Sequence, residues 1–91
     1  MKLSDSEINT KLGELKNWQV ANGKLHKEYK FETFEDAIMF INEVAVVAGA
    51  MNHHPEIYNV YNRVTLEINT HDEGGITEQD FTFAAHIDDI K

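Results

Sequence analysis

The spacing of apolar residues along the chain predicts three helices, over about residues 4–15, 33–49 and 77–87. Each helix begins at a hydroxyl residue that can cap its first turn, namely Ser4, Thr33 and Thr77. Gly49 is expected near the end of the middle helix, where glycine tolerates a left-handed cap. That helix carries one apolar stripe, widened by Phe40 and Val47, which is expected to pack against a sheet. The stripe consists of Phe34, Ala37, Ile38, Ile41, Val44, Ala45 and Ala48.

Shorter segments alternate between apolar and polar residues and predict four strands. These strands lie at about residues 18–20, 24–31, 56–60 and 63–70. Turns are expected at Asn22-Gly23, where both residues tolerate a positive φ, and at Tyr61-Asn62. Two hairpins separated by a helix predict an α+β fold, in which helices pack on one face of a four-stranded antiparallel sheet. The other face of the sheet is expected to be more polar.

The composition narrows the classes of function. The 91 residues include 8 basic and 16 acidic side chains, and the formal charge of −8 does not suit a nucleic-acid backbone or an anionic membrane. No apolar run approaches the roughly 20 residues of a membrane span, and no signal peptide is expected. The absence of cysteine excludes disulfides, thiolate metal sites and a cysteine nucleophile. We expect a single cytoplasmic domain, residues 1–91, without nucleic acid or membrane as a direct partner.

Three of the five histidines are expected to meet at one end of the sheet. His53-His54-Pro55 joins the second helix to the third strand, and His71 follows the fourth strand. If these two strands form a hairpin, their open ends are adjacent, so the three imidazoles lie at the same corner. The proline favours an extended backbone at His54, so the helix must end by His53. The remaining two histidines are expected to be structural: His26 on a strand surface and His86 near the end of the third helix.

Three imidazoles at one corner fit more than one chemistry. Histidine exchanges a proton near neutral pH, which suits general acid–base catalysis. Three histidines can also hold a metal ion with an open coordination position, with Glu56, Asp72 or Asp80 as supporting carboxylates. The third reading is a polar rim without chemistry. Spacing alone leaves these three readings open.

The segment from His53 to Asp80 resembles the pterin-4a-carbinolamine dehydratases. The family pattern is His-His-Pro, then an aromatic residue after five intervening residues, a histidine after nine more, and an aspartate after at least eight more. The matching residues here are His53-His54-Pro55, Tyr61, His71 and Asp80. Chain length and element order match too, so the resemblance covers essentially the whole chain. Two positions depart from the pattern: Gly49, which is usually charged or histidine, and Ile57, which is often tryptophan.

The resemblance implies the dehydration of 4a-hydroxytetrahydropterin to quinonoid dihydropterin during tetrahydropterin recycling. This is acid–base chemistry without a metal or other cofactor. It implies His53 and His71 as the proton-transfer residues and a catalytic His54 that mainly binds or orients the pterin. Asp80 is expected to hold His71 in one tautomer. The residues implied in substrate binding are His54, Pro55, Glu56, Tyr61, Thr70 and Asp72.

The resemblance also implies partners. We expect a pterin substrate and a homodimer or homotetramer, formed through the helical stripe at residues 34–48 or through a sheet edge. A non-catalytic interaction or assembly module, similar to a dimerisation cofactor, is the alternative function. Action on a different pterin is a third possibility.

Overall fold

The computed structural model describes residues 1–91 as an α+β fold of three helices and a four-stranded antiparallel sheet. The elements are α1 Asp5–Leu12, β1 Gln19–Ala21, β2 Lys24–Lys30, α2 Phe34–Met51, β3 Glu56–Val60, β4 Arg63–Ile68, a 3-10 turn His71–Glu73, and α3 Glu78–Ile90. The predicted fold class and element order are therefore confirmed. No helix is long and apolar enough to cross a membrane.

The predicted helix starts are confirmed by their caps. The Ser4 hydroxyl accepts a hydrogen bond from the Glu7 amide, and the Glu7 carboxylate accepts one from the Ser4 amide. The Thr33 hydroxyl accepts from the Asp36 amide at the start of α2. The ends of the helices differ from the predictions, because α1 stops at Leu12 and α3 continues to Ile90. Local caps mark a helix start more sharply than apolar spacing marks its end.

Helix α2 ends at Met51, close to Gly49 and before His53 as predicted, but Gly49 is not its left-handed cap. Gly49 is inside the helix, and Asn52 takes the left-handed conformation with φ 51°. Asparagine is one of the few residues that adopt this conformation readily. The helix is therefore closed immediately before His53, whose amide still donates to the carbonyl of Ala48 at 3.0 Å.

The sheet has the strand order β1-β2-β4-β3, so β1 and β3 are the edges. Both predicted turns are present, with positive φ at Asn22, Gly23 and Tyr61. The face under the helices carries a buried apolar set: Leu25, Tyr29, Val64, Leu66 and Ile68. The opposite face is mostly polar, as predicted. There His26 of β2 lies opposite Glu67 of β4, with 2.7 Å between Nδ1 and the carboxylate.

The core contains 16 buried apolar residues drawn from all three helices and the sheet. Phe40 lies at its centre rather than on its flank, since it is 3% exposed and its ring centroid is 4.6 Å from that of Tyr29. Phe34 and Ala45, predicted in the stripe, face outward instead. The buried face of α2 is formed by Ala37, Phe40, Val44 and Ala48. The buried face of α2 is therefore centred closer to Phe40 than the apolar spacing alone predicted. The spacing pattern takes no account of the large size of the Phe40 ring.

One charged group lies deep between α3 and the sheet. The carboxylate of Asp88 accepts hydrogen bonds from the indole of Trp18 at 2.9 Å and from the ammonium of Lys27 at 3.1 Å. Its second oxygen accepts from the Lys16 amide at 2.9 Å. Lys27 stands on the core face of β2, as its alternation predicted, and its charge is neutralised there.

Candidate active site

The corner where α2, β3, β4 and α3 meet holds a cavity of about 390 Å³. Its lining contains no apolar residue. The lining residues are Asn52, His53, His54, Asn69, Thr70, His71, Asp72 and Gln79. The three histidines are therefore brought together at one end of the sheet, as the hairpin argument predicted.

The local sequence explains how the corner forms. Asn52 takes the left-handed conformation that ends α2. A proline favours an extended backbone at the residue before it, here His54, which leads into β3. On the other side, Thr70 and Gly75 pair as an isolated bridge, with the Thr70 amide donating to the Gly75 carbonyl at 2.8 Å. The bridge closes a small loop that carries His71 and Asp72 to the cavity. The C-terminal end of α2 and the loop closed by the Thr70–Gly75 bridge therefore face each other across the cavity.

The central contact of the site joins His53 to Asp80. The Nε2 atom of His53 lies 2.5 Å from Oδ1 of Asp80. The Asp80 side chain is completely buried, and that of His53 is 10% exposed. A carboxylate bonded to one ring nitrogen fixes the tautomer and orientation of an imidazole. The expected partner of Asp80 was His71, and the structure corrects this: the aspartate binds His53.

Two threonines hold the far side of Asp80. Its Oδ2 atom accepts from the Thr77 amide at 2.8 Å and from the Thr70 hydroxyl at 2.9 Å. The two hydroxyls lie 2.7 Å apart. Thr70, which was predicted to contact substrate, lines the cavity, and its hydroxyl donates to the aspartate. With these donors and His53, a fully buried carboxylate has partners on both oxygens.

The other two histidines are open to solvent. His54 and His71 are both exposed, and neither side chain has a hydrogen-bond partner within the chain. No group of three or more His, Asp or Glu side chains is arranged to hold a metal ion. One oriented imidazole beside two free ones is an arrangement that can give and take protons.

The remaining predicted site residues lie farther from the cavity. Tyr61 occupies the β3–β4 turn, at the end of the hairpin opposite the histidines, and is 66% exposed. Glu56 is on the open face of the sheet, where it binds Lys24 at 2.6 Å and Tyr58 at 2.6 Å. Pro55 links His54 to β3 but does not line the cavity.

Four residues of the site were not singled out from the sequence as site residues. Asn52, Asn69 and Gln79 line the cavity, and Thr77 binds Asp80 behind it. Thr77 was predicted as a helix cap, and its spacing of three residues to Asp80 is that of a capping box. That spacing could have shown that the Asp80 side chain binds back to Thr77 in the first turn of α3. The asparagines carried no comparable signal.

Comparison with known proteins agrees with this geometry. The family model for pterin 4 alpha carbinolamine dehydratase matches residues 1–90. The chain belongs to this family. A relative from Solibacter usitatus, named "Putative pterin-4-alpha-carbinolamine dehydratase", is 56% identical over 87 residues, covering 96% of this chain and 92% of its own length. A protein of the same name from Sulfolobus acidocaldarius is 44% identical over 91 residues and covers both chains fully.

Solved structures show the same architecture. The crystal structure of a transcriptional coactivator/pterin dehydratase from Brucella melitensis superposes with a TM-score of 0.93 at 37% identity, covering 99% of this chain and 98% of its own. A pterin dehydratase-like protein identified as a RuBisCO assembly factor in the alpha-carboxysome gives a TM-score of 0.65 at 21% identity, covering 81% and 86%. This second likeness shows the fold alone. The dehydratase fold thus extends over essentially the whole chain.

Proposed function

We propose that this protein dehydrates pterin-4a-carbinolamine to quinonoid dihydropterin by histidine acid–base catalysis, in tetrahydropterin recycling. In this reaction the C4a–O bond breaks and the hydroxyl leaves as water after receiving a proton. The N5 atom loses its proton, and a C4a–N5 double bond forms. Atoms and electrons balance without an oxidant or a reductant. Membership of the family and the names of its relatives support the reaction class.

The observation that carries the proposal is the buried Asp80 bonded to His53 beside two free imidazoles. A base and an acid are both needed, and each positioned proton-transfer group contributes roughly 100- to 10,000-fold. His53 is oriented by the aspartate, whereas His54 and His71 are free to contact the leaving hydroxyl or the ring. We assign proton transfer to His53 and His71 and pterin orientation mainly to His54.

The polar lining of the cavity supports a pterin as substrate. A pterin presents ring nitrogens, an amino group and a carbonyl along its edge, and these need hydrogen-bond partners in a binding site. Asn52, Asn69 and Gln79 offer amide donors and acceptors, and Asp72 offers a carboxylate. We propose these four side chains as the groups that read the pterin edge.

The direct test is the rate of 4a-hydroxytetrahydropterin breakdown, followed by absorbance. Wild-type protein is compared with His53→Ala, His71→Ala and the control His86→Ala, which alters an exposed histidine of α3 outside the cavity. We expect both cavity variants to lose roughly 100- to 10,000-fold in kcat. The control should keep full activity. Folded wild-type protein that neither accelerates the reaction nor binds a pterin would refute the proposal.

We also propose that the protein is a homodimer or homotetramer associated through the edge strand β3. Four apolar residues of this strand and its turn are well exposed: Ile57 37%, Tyr58 53%, Val60 74% and Tyr61 66%. An exposed apolar edge strand has unpaired backbone groups that favour pairing with another strand. Val60→Glu should therefore shift the sedimentation coefficient toward that of a monomer. Val20→Glu, on the opposite edge strand, is the matched control and should not shift it.

A non-catalytic interaction or assembly role is the alternative. It is supported by the outward-facing apolar residues of α2, where Met39 is 63% and Val46 is 72% exposed. The Brucella melitensis neighbour is described as both coactivator and dehydratase. In this alternative, His53→Ala and His71→Ala keep the biological role, and Val46→Glu loses it. Action on a different pterin is distinguished by assaying several pterins with the same variants.

A further inference from the structure

We infer that Thr70 and Thr77 are positioning residues that set the tautomer of His53 through Asp80. Their effect is that His53 exchanges its proton through Nδ1 and not through Nε2. The inference deepens the proposed function and rests on it for the catalytic part. The tautomer itself can be measured in the protein without any substrate.

The argument begins with the two oxygens of Asp80. An ionised carboxylate can only accept hydrogen bonds. Its Oδ2 atom faces the amide of Thr77 at 2.8 Å, which can only donate, and the hydroxyl of Thr70 at 2.9 Å. The other oxygen, Oδ1, faces His53 alone. Oδ2 is therefore surrounded by hydrogen-bond donors, and Oδ1 remains free to accept from the imidazole.

The directions of the two hydroxyl groups follow from the same contacts. The Thr77 hydroxyl accepts from the Gln79 amide at 3.2 Å and lies 2.7 Å from the Thr70 hydroxyl. Thr70 uses its proton for Asp80, so the proton between the two threonines must come from Thr77. Each hydroxyl then accepts one hydrogen bond and donates one, in a single directed chain that runs from the Gln79 amide through Thr77 and Thr70 to Oδ2 of Asp80. Such a chain has only one arrangement that leaves no buried polar group unpaired.

The fixed carboxylate determines the state of His53. Because Asp80 accepts, Nε2 of His53 must carry a hydrogen, and the neutral ring then has its lone pair on Nδ1. Nδ1 has no hydrogen-bond partner in the chain, and the ring borders the cavity. Nδ1 is thus the atom that takes or returns a proton. The hydrogen on Nε2 stays bonded to that nitrogen and donates to the aspartate throughout.

The substitution Asp80→Asn tests this assignment. The Thr77 amide and Thr70 hydroxyl still require an acceptor, so the new amide must place its oxygen toward them and its NH₂ toward His53. That donor would meet Nε2 and force the ring into the opposite tautomer, with hydrogen on Nδ1. The same exchange in the serine protease triad lowers kcat by about 10⁴-fold through the wrong tautomer. We expect a comparable loss in kcat with little change in KM.

The tautomer is read from ¹⁵N chemical shifts of His53 in substrate-free protein. We expect hydrogen on Nε2 in the wild type and on Nδ1 in Asp80→Asn. Asp89→Asn, at an exposed position of α3, is the matched control and should keep the wild-type shifts. A wild-type ring with hydrogen on Nδ1, or an Asp80→Asn ring that keeps it on Nε2, would overturn the inference. The shifts decide it even if no pterin is dehydrated, which separates its failure from that of the proposed function.

Thr70→Val and Thr70→Ser provide a second test if Asp80→Asn does not fold. Valine keeps the shape of the side chain and removes the donor, whereas serine keeps the donor. We expect Thr70→Val to lower kcat about tenfold, because Asp80 then loses one of the two donors that hold its Oδ2 atom. Thr70→Ser should restore most of it, with KM similar in both. A Thr70→Val enzyme with wild-type kcat and wild-type His53 shifts would remove Thr70 from the network.

Discussion

Two buried aspartates on α3 show how side chains of one type are used differently. Asp80 has hydroxyl, amide and imidazole partners and lies behind the cavity, whereas Asp88 has an ammonium, an indole and an amide and lies away from it. Both carboxylates are removed from water, so both depend on partners for their charge. One orients an imidazole, and the other neutralises a lysine.

Replacing Asp88 by alanine should strongly destabilise the fold. Lys27 would keep a buried ammonium without a counter-charge, and breaking a buried pair in this way costs about 3–5 kcal/mol. Urea denaturation followed by Trp18 fluorescence measures the loss. Asp89→Ala, one residue along and exposed, is the control and should stay within about 0.5 kcal/mol of the wild type. Equal effects of the two substitutions would contradict a role for the buried pair.

His26 should make stability depend on pH. The hydrogen bond to Glu67 raises the pKa of His26 above 6.5, with a smaller contribution from Glu28 and an opposing one from burial. Gln19 is the residue facing it from β1. Since the folded pKa lies above the unfolded one, the stabilisation is fully present below pH 6.5 and is lost as pH rises through the folded pKa.

The measurement compares the free energy of unfolding of wild type and His26→Gln from about pH 6 to about pH 9. The wild type should lose its advantage over the variant toward the alkaline end. His86→Gln is the control, because His86 is exposed and makes no ion pair. A difference between wild type and His26→Gln that is constant over this range would mean that the charged pair adds nothing.

At the scale of elements, the end of α2 determines where the site forms. The helix continues two residues past Gly49 and is stopped by the left-handed Asn52. The sequence predicted this helix, its start and its approximate length from local signals alone. It did not predict the exact end, because glycine and asparagine both adopt left-handed conformations and only packing decides between them.

Glycine-to-alanine substitutions at two positions should have opposite effects. A Cβ atom at Gly49 would meet nothing within 4 Å, and alanine favours a helix interior by about 0.8–1.0 kcal/mol over glycine. Gly49→Ala should therefore raise stability by up to that amount. Gly74 has φ +74°, where a side chain costs about 1–2 kcal/mol, so Gly74→Ala should lower it. Thermal or urea unfolding of the two variants gives the signs, and a destabilised Gly49→Ala would show that α2 is constrained there by something outside the chain.

At the scale of the whole molecule, the N-terminal segment braces the loop that carries His71. The Leu3 amide donates to the Ile76 carbonyl at 2.8 Å, and the terminal amino group lies 2.9 Å from Glu73. Leu3 also packs against the core. Residues more than 70 positions apart in the sequence are thereby joined beside the cavity, which ties the order of the loop to the start of the chain.

Leu3→Ala should loosen this loop selectively. We expect amide hydrogen exchange at Thr70 and Gly75, whose amides bond across the loop, to accelerate about tenfold, as a loss near 1.4 kcal/mol gives. Leu15→Ala is the matched control, since Leu15 is also half-buried against the core but lies away from the loop. Equal acceleration in both variants would mean that the loop opens only with the whole fold.

The sequence predicted contacts within an element better than contacts between elements. Helix caps, hairpin turns and the shared corner of the histidines follow from short-range spacing and from chain connectivity. The partner of Asp80 does not, because it depends on how α3 packs beside the end of α2. His53 and His71 both lie at the corner, and only the tertiary structure shows which one reaches the aspartate. Likewise, spacing alone could not show that Phe40 points into the core.

Asp80 contributes both to the start of α3 and to the orientation of His53, and this double role affects how the sequence can evolve. The aspartate caps the first turn of α3 as well as orienting an imidazole, so a descendant without the proposed proton transfer would still be selected to retain it. His54 and His71 support nothing else in the fold and would drift first. A lineage that evolves another function would keep Asp80, Thr70 and Thr77 after it has lost the exposed imidazoles of His54 and His71. Relatives that keep Asp80 but lack His54 and His71 would therefore be the ones expected to lack the proposed proton transfer.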